Sequence, residues 1–564
     1  MFQALRFVCL LFVLFVVVQG SKYDTEAFPM LDMVGGHSRA NVSLREWPYT
    51  NWLYGPPCPS RYRQQLLPID SADIQLALTK VEDALKLYVR EMEGIGLKVG
   101  VSVGIVYDQQ VLFSEGFGTI NARETTPPID TTVFNIGSVT KIFTSLGLYH
   151  SVQENLVSLT DPVTKFFNEE NPPVFSIHNP YSSEGSAAVT LHSLASQASG
   201  LPREAYCGAY PVTENCTDNE IAAQLNLEHL SNFGLLYSPF TGSHYSNLGL
   251  ALLGRSLERV WGQQYEDYMV NNIFPAIGMN TMTGFTYSQN VIDNMATGYV
   301  VVDNGNGTYS QVPAVSTNTE EFGWSAPAGG AYTNRQDMLS FLKWVFGSHE
   351  NNTVLSQSYL NEYIAPGMLM ANAIELYGQG TWEIFYANGY WTLTKGGLTS
   401  SMATSISMVP ELKLGVSVMM NINSGVNSDK LNALINSIMV PALLAALDKV
   451  QEPLSLPPNY QSFIGSYGYS TPFLVLSESS TENGVLDGSV IVTGNVKFIW
   501  DSKQDYGNFT AFRYSSTKKY ASCMNLAGAG NNAIAYFHFL KNGRPAVTIN
   551  DENVSFYSIP MMDS

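Results

Sequence analysis

The sequence predicts an α/β (α+β) chain: one sheet assembled from both ends of a long domain with helices between, then a smaller all-β domain. Three observations predict it. A strand hairpin stands near residue 100 and further strands return near 390, a helix-rich stretch lies between them, and composition shifts after a Pro-rich link at 451–458. At 564 residues and 45% hydrophobic content, the chain is long enough to bury a large core and a second, smaller unit. Its formal charge of −19 disfavours nucleic acid as a partner.

The first element is a targeting segment. Arg6, an apolar run from Phe7 to Val18 and the small Gly20 give residues 1–20 the form of a secretory signal peptide, and so predict a secreted chain. Twelve apolar residues are too few to cross about 30 Å of hydrocarbon, and no later stretch reads as long enough, so no stable membrane span is expected. In that oxidising route Cys58, Cys207, Cys216 and Cys523 are disulfide candidates. Cys207 with Cys216 and Cys58 with Cys523 is one of three connectivities. Sequons at Asn41, Asn215, Asn306, Asn351, Asn508 and Asn553 are glycosylation candidates.

Residues 21–68 carry no period and are taken as an irregular arm ahead of a domain at 69–450. From Ser71, Ile74, Leu78, Val81, Leu85 and Val89 recur at helical steps. Two β-branched runs follow, Lys98–Val106 and Gln110–Gly116, around the turn Tyr107-Asp-Gln109. The stretch from about Ser138 to Met279 is helix-rich. Tyr390–Thr394, Ser401–Val409 and Leu414–Met420 are strands, joined by Gly396-Gly397 and Pro410-Glu411, and a last helix runs over about Ser428–Lys449. Short alternating strands then fill 459–564.

A serine hydroxyl is a weak nucleophile, so an enzyme that uses one needs a nearby base and an oxyanion site. Gly100-Val-Ser-Val-Gly104 matches GxSxG, but Ser102 lies inside an alternating strand with no helix after it, which denies it the exposed elbow. The eight histidines show no i,i+4 pairing and neither CxxC nor HExxH occurs, so no metal or other cofactor is expected. The remaining pattern is SxxK at a helix start, Ser138 and Lys141 behind Gly137. The i,i+3 spacing sets the amine one turn above the hydroxyl. Burial would lower the lysine pKa, and the helix start favours negative charge near the serine. SxxK recurs at Ser515–Lys518 and Ser516–Lys519 in the strand-rich tail, so the pattern alone is weak.

Tyr245-Ser-Asn247 precedes an apolar-faced helix. A tyrosine at a helix entrance beside a lysine ammonium can work as an acid or base. Tyr386-Ala-Asn388 has the same form but sits between strands, as a hairpin turn. Lys395-Gly396-Gly397-Leu398 lies at a strand edge where a substrate can approach backbone, and the N–H of Leu398 with that of Ser138 could form an oxyanion hole.

In order, Phe134-Asn-Ile-Gly-Ser-Val-Thr-Lys-Ile-Phe-Thr-Ser145, Tyr245-Ser-Asn-Leu-Gly-Leu-Ala-Leu-Leu-Gly254 and Lys395-Gly-Gly397 resemble the three motifs of serine β-lactamase-related proteins, the class C group with its penicillin-binding proteins, esterases and D-aminopeptidases. Ser199-Gly-Leu-Pro202, Ile273–Met279, Ala328–Asn334 and Val409–Val416 look like further landmarks, so the resemblance covers about residues 70–450. It implies a β-lactamase/transpeptidase-like antiparallel sheet flanked by helices, an all-helical lobe and a site between them. It also implies an acylated Ser138, proton transfer by Lys141 and Tyr245, and substrate contacts from Asn247, Lys395, Gly396, Gly397 and Leu398. Some members carry a lipocalin-like barrel, and residues 459–564 look similar. Gly396 stands where the family usually has a hydroxyl residue, and Gln197-Ala198 where relatives commonly carry His-Thr. The expected function is a secreted serine hydrolase acting on an ester, amide or peptide of a small molecule or peptide; the alternative is a catalytically silent binding protein.

Overall fold

The computed structural model describes residues 70–559 apart from 124, 168–175, 183–186, 205–233, 306–307, 315–321, 350–351, 373, 389, 424–426, 451–454, 469–471, 482, 491–493, 501, 503–504, 517–533 and 550–553. The signal and arm segments, all four cysteines of the disulfide scheme, and Asn41, Asn215, Asn306, Asn351 and Asn553 lie outside the described residues; Asn508 lies within them and is exposed.

Helix α1 (Ala72–Gly94) opens the large domain, and of the predicted stripe Ile74, Val81, Leu85 and Val89 are buried while Leu78 is half-buried against the same core. Strands β1 (Gly100–Tyr107) and β2 (Gln110–Gly118) form the expected hairpin, with Asp108 at φ 51° in the turn. Helices α2 (Thr140–Gln153), α3 (Asn247–Trp261) and α4 (Arg335–Phe346) follow, then strands β3 (Pro366–Leu369), β4 (Leu376–Gly378), β5 (Glu383–Ala387), β6 (Tyr390–Leu398), β7 (Ala403–Val409) and β8 (Leu414–Met420). Helix α5 (Asn427–Val450) ends the domain. The sheet order is β2-β1-β8-β7-β6-β5-β4-β3, every neighbouring pair antiparallel, so the first hairpin docks beside the last strand and both ends of the domain build one sheet.

Because strand side chains alternate, β1 serves two faces. Val101, Val103 and Ile105 join α1 and α5 in one core, while Ser102 and Gly104 turn to α4. A Cβ at Gly104 would stand 2.7 Å from Leu339 Cδ2, and one at Gly415 2.7 Å from Leu342 Cδ2; the two glycines let α4 lie close against the sheet. Ser102 is fully buried and accepts a 3.0 Å hydrogen bond from Arg335 Nη1, which disposes of the GxSxG match.

Two expectations are corrected. Gly396-Gly397 is no joint between strands: β6 runs through both glycines to Leu398, paired with β7 from Leu393↔Met408 to Leu398↔Ala403. The glycines answer a close approach of another segment rather than a turn. And one later stretch, Ser428–Leu447, is long and apolar enough to cross a membrane by length and composition. Its Leu431, Ile435, Met439, Val440, Leu443, Leu444 and Leu447 are instead packed in the core against α1 and the sheet.

Eight strands from Gly465–Gly468 to Val554–Ile559 form a closed antiparallel barrel, sealed by the register Ser466↔Ile559 to Gly468↔Tyr557. Its inside is packed: Phe537 contacts the rings of Phe463, Tyr467, Phe498 and Phe512. Ser515 and Ser516 are barrel-strand residues, so their SxxK matches start no helix.

Candidate active site

Ser138 sits in a single 3-10 turn, Gly137–Val139, that leads directly into α2. Gly137 has φ +50°, and a Cβ there would meet the Leu398 backbone N at 2.7 Å. From the other side, a Cβ on Gly397 would stand 2.0 Å from Ile136 O and 3.0 Å from Ser138 N. Glycine at both positions is therefore what lets the end of β6 lie on the serine turn and bring the Leu398 and Ser138 amides to one place.

Helix α2 is buried almost throughout. Ile142, Phe143, Leu146 and Tyr149 enter the core, Phe143 edge-on to Phe274 and Phe341. Thr140 Oγ1 donates to Gly137 O at 2.7 Å and accepts from Ala331 N at 3.1 Å, tying the serine turn to the helix. One turn along, Lys141 Nζ lies 2.9 Å from Ser138 Oγ and also donates to Ala328 O. Burial holds the Lys141 amine below its ordinary pKa and the nearby Lys395 charge adds to that, against an opposing pull from Tyr245.

Tyr245 arrives through the start of α3. Ser246 caps that helix, its Oγ accepting from Gly249 N at 2.9 Å and donating to Pro202 O at 2.7 Å. Ser246 N in turn donates to Gln197 Oε1 at 2.7 Å, so Gln197 braces the tyrosine loop. The Tyr245 ring centroid is 4.9 Å from Lys141 Nζ, 5.2 Å from Lys395 Nζ and 4.7 Å from Arg203 Cζ. Burial alone would push the phenol up, but the two ammoniums and hydrogen bonding with Lys141 and Ser138 outweigh it and hold it below its ordinary value.

Lys395 is buried and ion-paired to Glu383 Oε1 at 2.7 Å. Burial works against its charge, yet Glu383 and Tyr245 more than offset that and keep the pKa above the ordinary lysine value, so a permanent cation faces the phenol. Asn247 donates from Nδ2 to Glu204, whose second oxygen has no partner among the described residues. Burial raises the Glu204 carboxyl.

Ser138, Tyr245, Asn247, Lys395, Gly396, Gly397 and Leu398 all line one cavity of about 640 Å³, with Lys141 buried beneath it. The structure thus gathers every residue expected to handle protons or touch substrate. Arg203, Glu204, Glu383 and Asp429 line it as well and were not anticipated. Glu383 was within reach: counting back from the Asn388 turn, at φ 53°, places it opposite Thr394. Asp429 comes from the start of α5 and carries no local signal. Tyr386 lies in β5 against Trp391, outside the cavity lining. Among the described residues no group of His, Cys, Asp or Glu is arranged to hold a metal.

A beta-lactamase family model matches residues 88–438. The chain belongs to the beta-lactamase family. The match runs from α1 into α5 and spans every residue that lines the cavity, and the family accounts for the serine-hydrolase fold. Beta-lactamase-like protein 4 of Dictyostelium discoideum is 29% identical, covering 92% of this chain and 97% of its own length. Beta-lactamase-like protein 2 of the same organism is 32% identical over 64% of this chain, which spans 62% of that relative. Human putative beta-lactamase-like 1 is 27% identical over 70% of this chain and 74% of its own. Among solved structures, the octameric penicillin-binding protein homologue from Pyrococcus abyssi has a TM-score of 0.52 at 21% identity, over 85% of this chain and all of its own. A beta-lactamase/D-alanine carboxypeptidase from Yersinia pestis has a TM-score of 0.51 at 21%, over 65% and 99%. These two likenesses bear on the fold alone.

Proposed function

We propose that this chain is a secreted acyl-serine hydrolase of esters, amides or peptides, and the observation that carries the reading is the contact of Ser138 Oγ with a buried, pKa-lowered Lys141 beside Tyr245. With burial holding the Lys141 amine below its ordinary pKa and the neighbouring ammoniums holding down the Tyr245 phenol, the Ser138 proton passes to this pair as Oγ bonds to the substrate carbonyl carbon. The carbonyl oxygen becomes an oxyanion, stabilised by the N–H groups of Ser138 and Leu398 by a few kcal/mol. Tyr245 hands the proton to the departing amine or alkoxide as the carbonyl–heteroatom bond breaks. Water then attacks the acyl-serine, gives its proton back through the same pair, and releases the acid with Ser138 restored. Lys395 holds Tyr245 poised by its fixed charge, and Asn247 and the β6 edge position the substrate.

Secretion rests on the apolar 1–20 segment and the sequons that accompany it. The test is turnover of a chromogenic ester by the full chain. Ser138→Ala should abolish it and Lys141→Met should reduce it by about 10³-fold or more. Equal turnover by wild type and Ser138→Ala refutes the reading, and a wild type with no turnover above the uncatalysed rate leaves a binding protein.

A further inference from the structure

The cleft has an acidic wall beside Gly396, which presents no side chain to it. Gly396 pairs with Ser405 of β7, and above it stands Asp429 of the first turn of α5: a Cβ on Gly396 would lie 3.0 Å from Asp429 Oδ2 and 3.1 Å from Oδ1. Ser405 hydrogen-bonds this carboxyl from the sheet, while Asp429 remains exposed to the cavity it lines. The neighbouring cation is already committed, since Lys395 is ion-paired to Glu383 at 2.7 Å. Burial raises the Asp429 carboxyl, against the pull of the Ser405 hydrogen bond and the Lys395 charge; with one ammonium between two carboxyl groups, the acidic excess at this end of the cleft falls on Asp429, the more accessible of the two. A substrate carboxylate lying along β6 at Gly396 would face Asp429 as a like charge, whereas an ammonium there would find a charge-assisted acceptor.

We infer that Asp429 is a specificity-determining residue that selects substrates bearing a cationic amine on the part that lies over Gly396, and that excludes a carboxylate from that position. The inference rests on the acyl-enzyme reading of the cleft for the word substrate, but the charge preference is a property of the cavity and is measurable without turnover.

The experiment uses the full chain with Ser138→Ala and calorimetric titration of three ligands: Ala-Ala-amide, N-acetyl-Ala-Ala-amide and N-acetyl-Ala-Ala with its free carboxylate. The free amine is expected to bind about tenfold more tightly than the acetylated amide, and the carboxylate form more weakly than either. Asp429→Asn should remove the advantage of the amine, and Asp429→Glu should keep most of it. The proposal is overturned if the amine binds no better than the acetylated amide on the Asp429-containing chain, a comparison that needs no second variant to fold. It is also overturned if the preference survives Asp429→Asn. Since Ser138 is absent throughout, failure here leaves the acyl-enzyme reading standing, and failure of serine labelling in the wild type leaves this preference measured.

Discussion

Replacing Gly397 by alanine should disable the site without unfolding the domain. The added methyl would sit 2.0 Å from Ile136 O, whereas ordinary contact begins near 3.4 Å, so β6 and the serine turn must part by about 1.4 Å. The atoms involved are backbone on both sides and cannot rotate away. A separation of that size carries the Leu398 N–H out of reach of an oxygen held by Ser138 N–H. Loss of one oxyanion donor costs about 10²–10³ in rate, and a misplacement near 1 Å about 10². The assay is the second-order rate of fluorophosphonate labelling, read with the melting temperature. Gly415→Ala is the matched control. Its methyl would stand 2.7 Å from Leu342 Cδ2 on the face toward α4, where a side chain can yield, so it should lower the melting temperature and leave labelling within about twofold. A folded Gly397→Ala chain that labels at the wild-type rate refutes the argument, as does an equal loss of labelling in Gly415→Ala.

Three further outcomes follow from the charges and contacts. Tyr245→Phe removes the proton carrier and should slow labelling about 10²–10⁴-fold, measured by stopped-time gel fluorescence. Because Lys395 lowers the Tyr245 pKa, Lys395→Met should move the acid limb of the labelling rate to higher pH, and Lys395→Met with Glu383→Gln, which removes the stranded carboxylate, should leave the limb displaced; an unmoved limb contradicts the role of that cation. Burial pushes Glu411 up to about 7, so the folded chain holds its proton while the unfolded chain ionises above about 4.5. Stability is therefore lost as pH rises from about 4.5 to 7, and Glu411→Gln should raise the melting temperature at pH 8 with no effect at pH 4.

What was legible in the sequence had a short-range cause. Ile74 to Val89 recur at helical steps because one helix face lies on the sheet, and the Ser138–Lys141 contact follows from i,i+3 geometry once Gly137 is granted its left-handed turn. Tyr245 needed the resemblance to be placed beside them, since about a hundred residues intervene. The glycine pair at 396 and 397 was misjudged because two consecutive glycines locally signal a turn. Here the reason for Gly397 is Ile136 O, more than 250 residues earlier in the chain. Asp429 was invisible for a similar reason: its position over Gly396 is set by how α5 lies against the sheet, which no local period encodes. The Ser428–Leu447 apolar run shows the converse, a composition that suits a bilayer and is used to cover a sheet.

The central claim is that the Ser138 hydroxyl is the group that becomes acylated. Peptide-mapping mass spectrometry of the full chain after fluorophosphonate treatment reads this directly. One adduct on the peptide containing Ser138, lost in Ser138→Ala and strongly reduced in Lys141→Met, is the predicted result. An adduct elsewhere, or the same mass gained by wild type and Ser138→Ala, contradicts it.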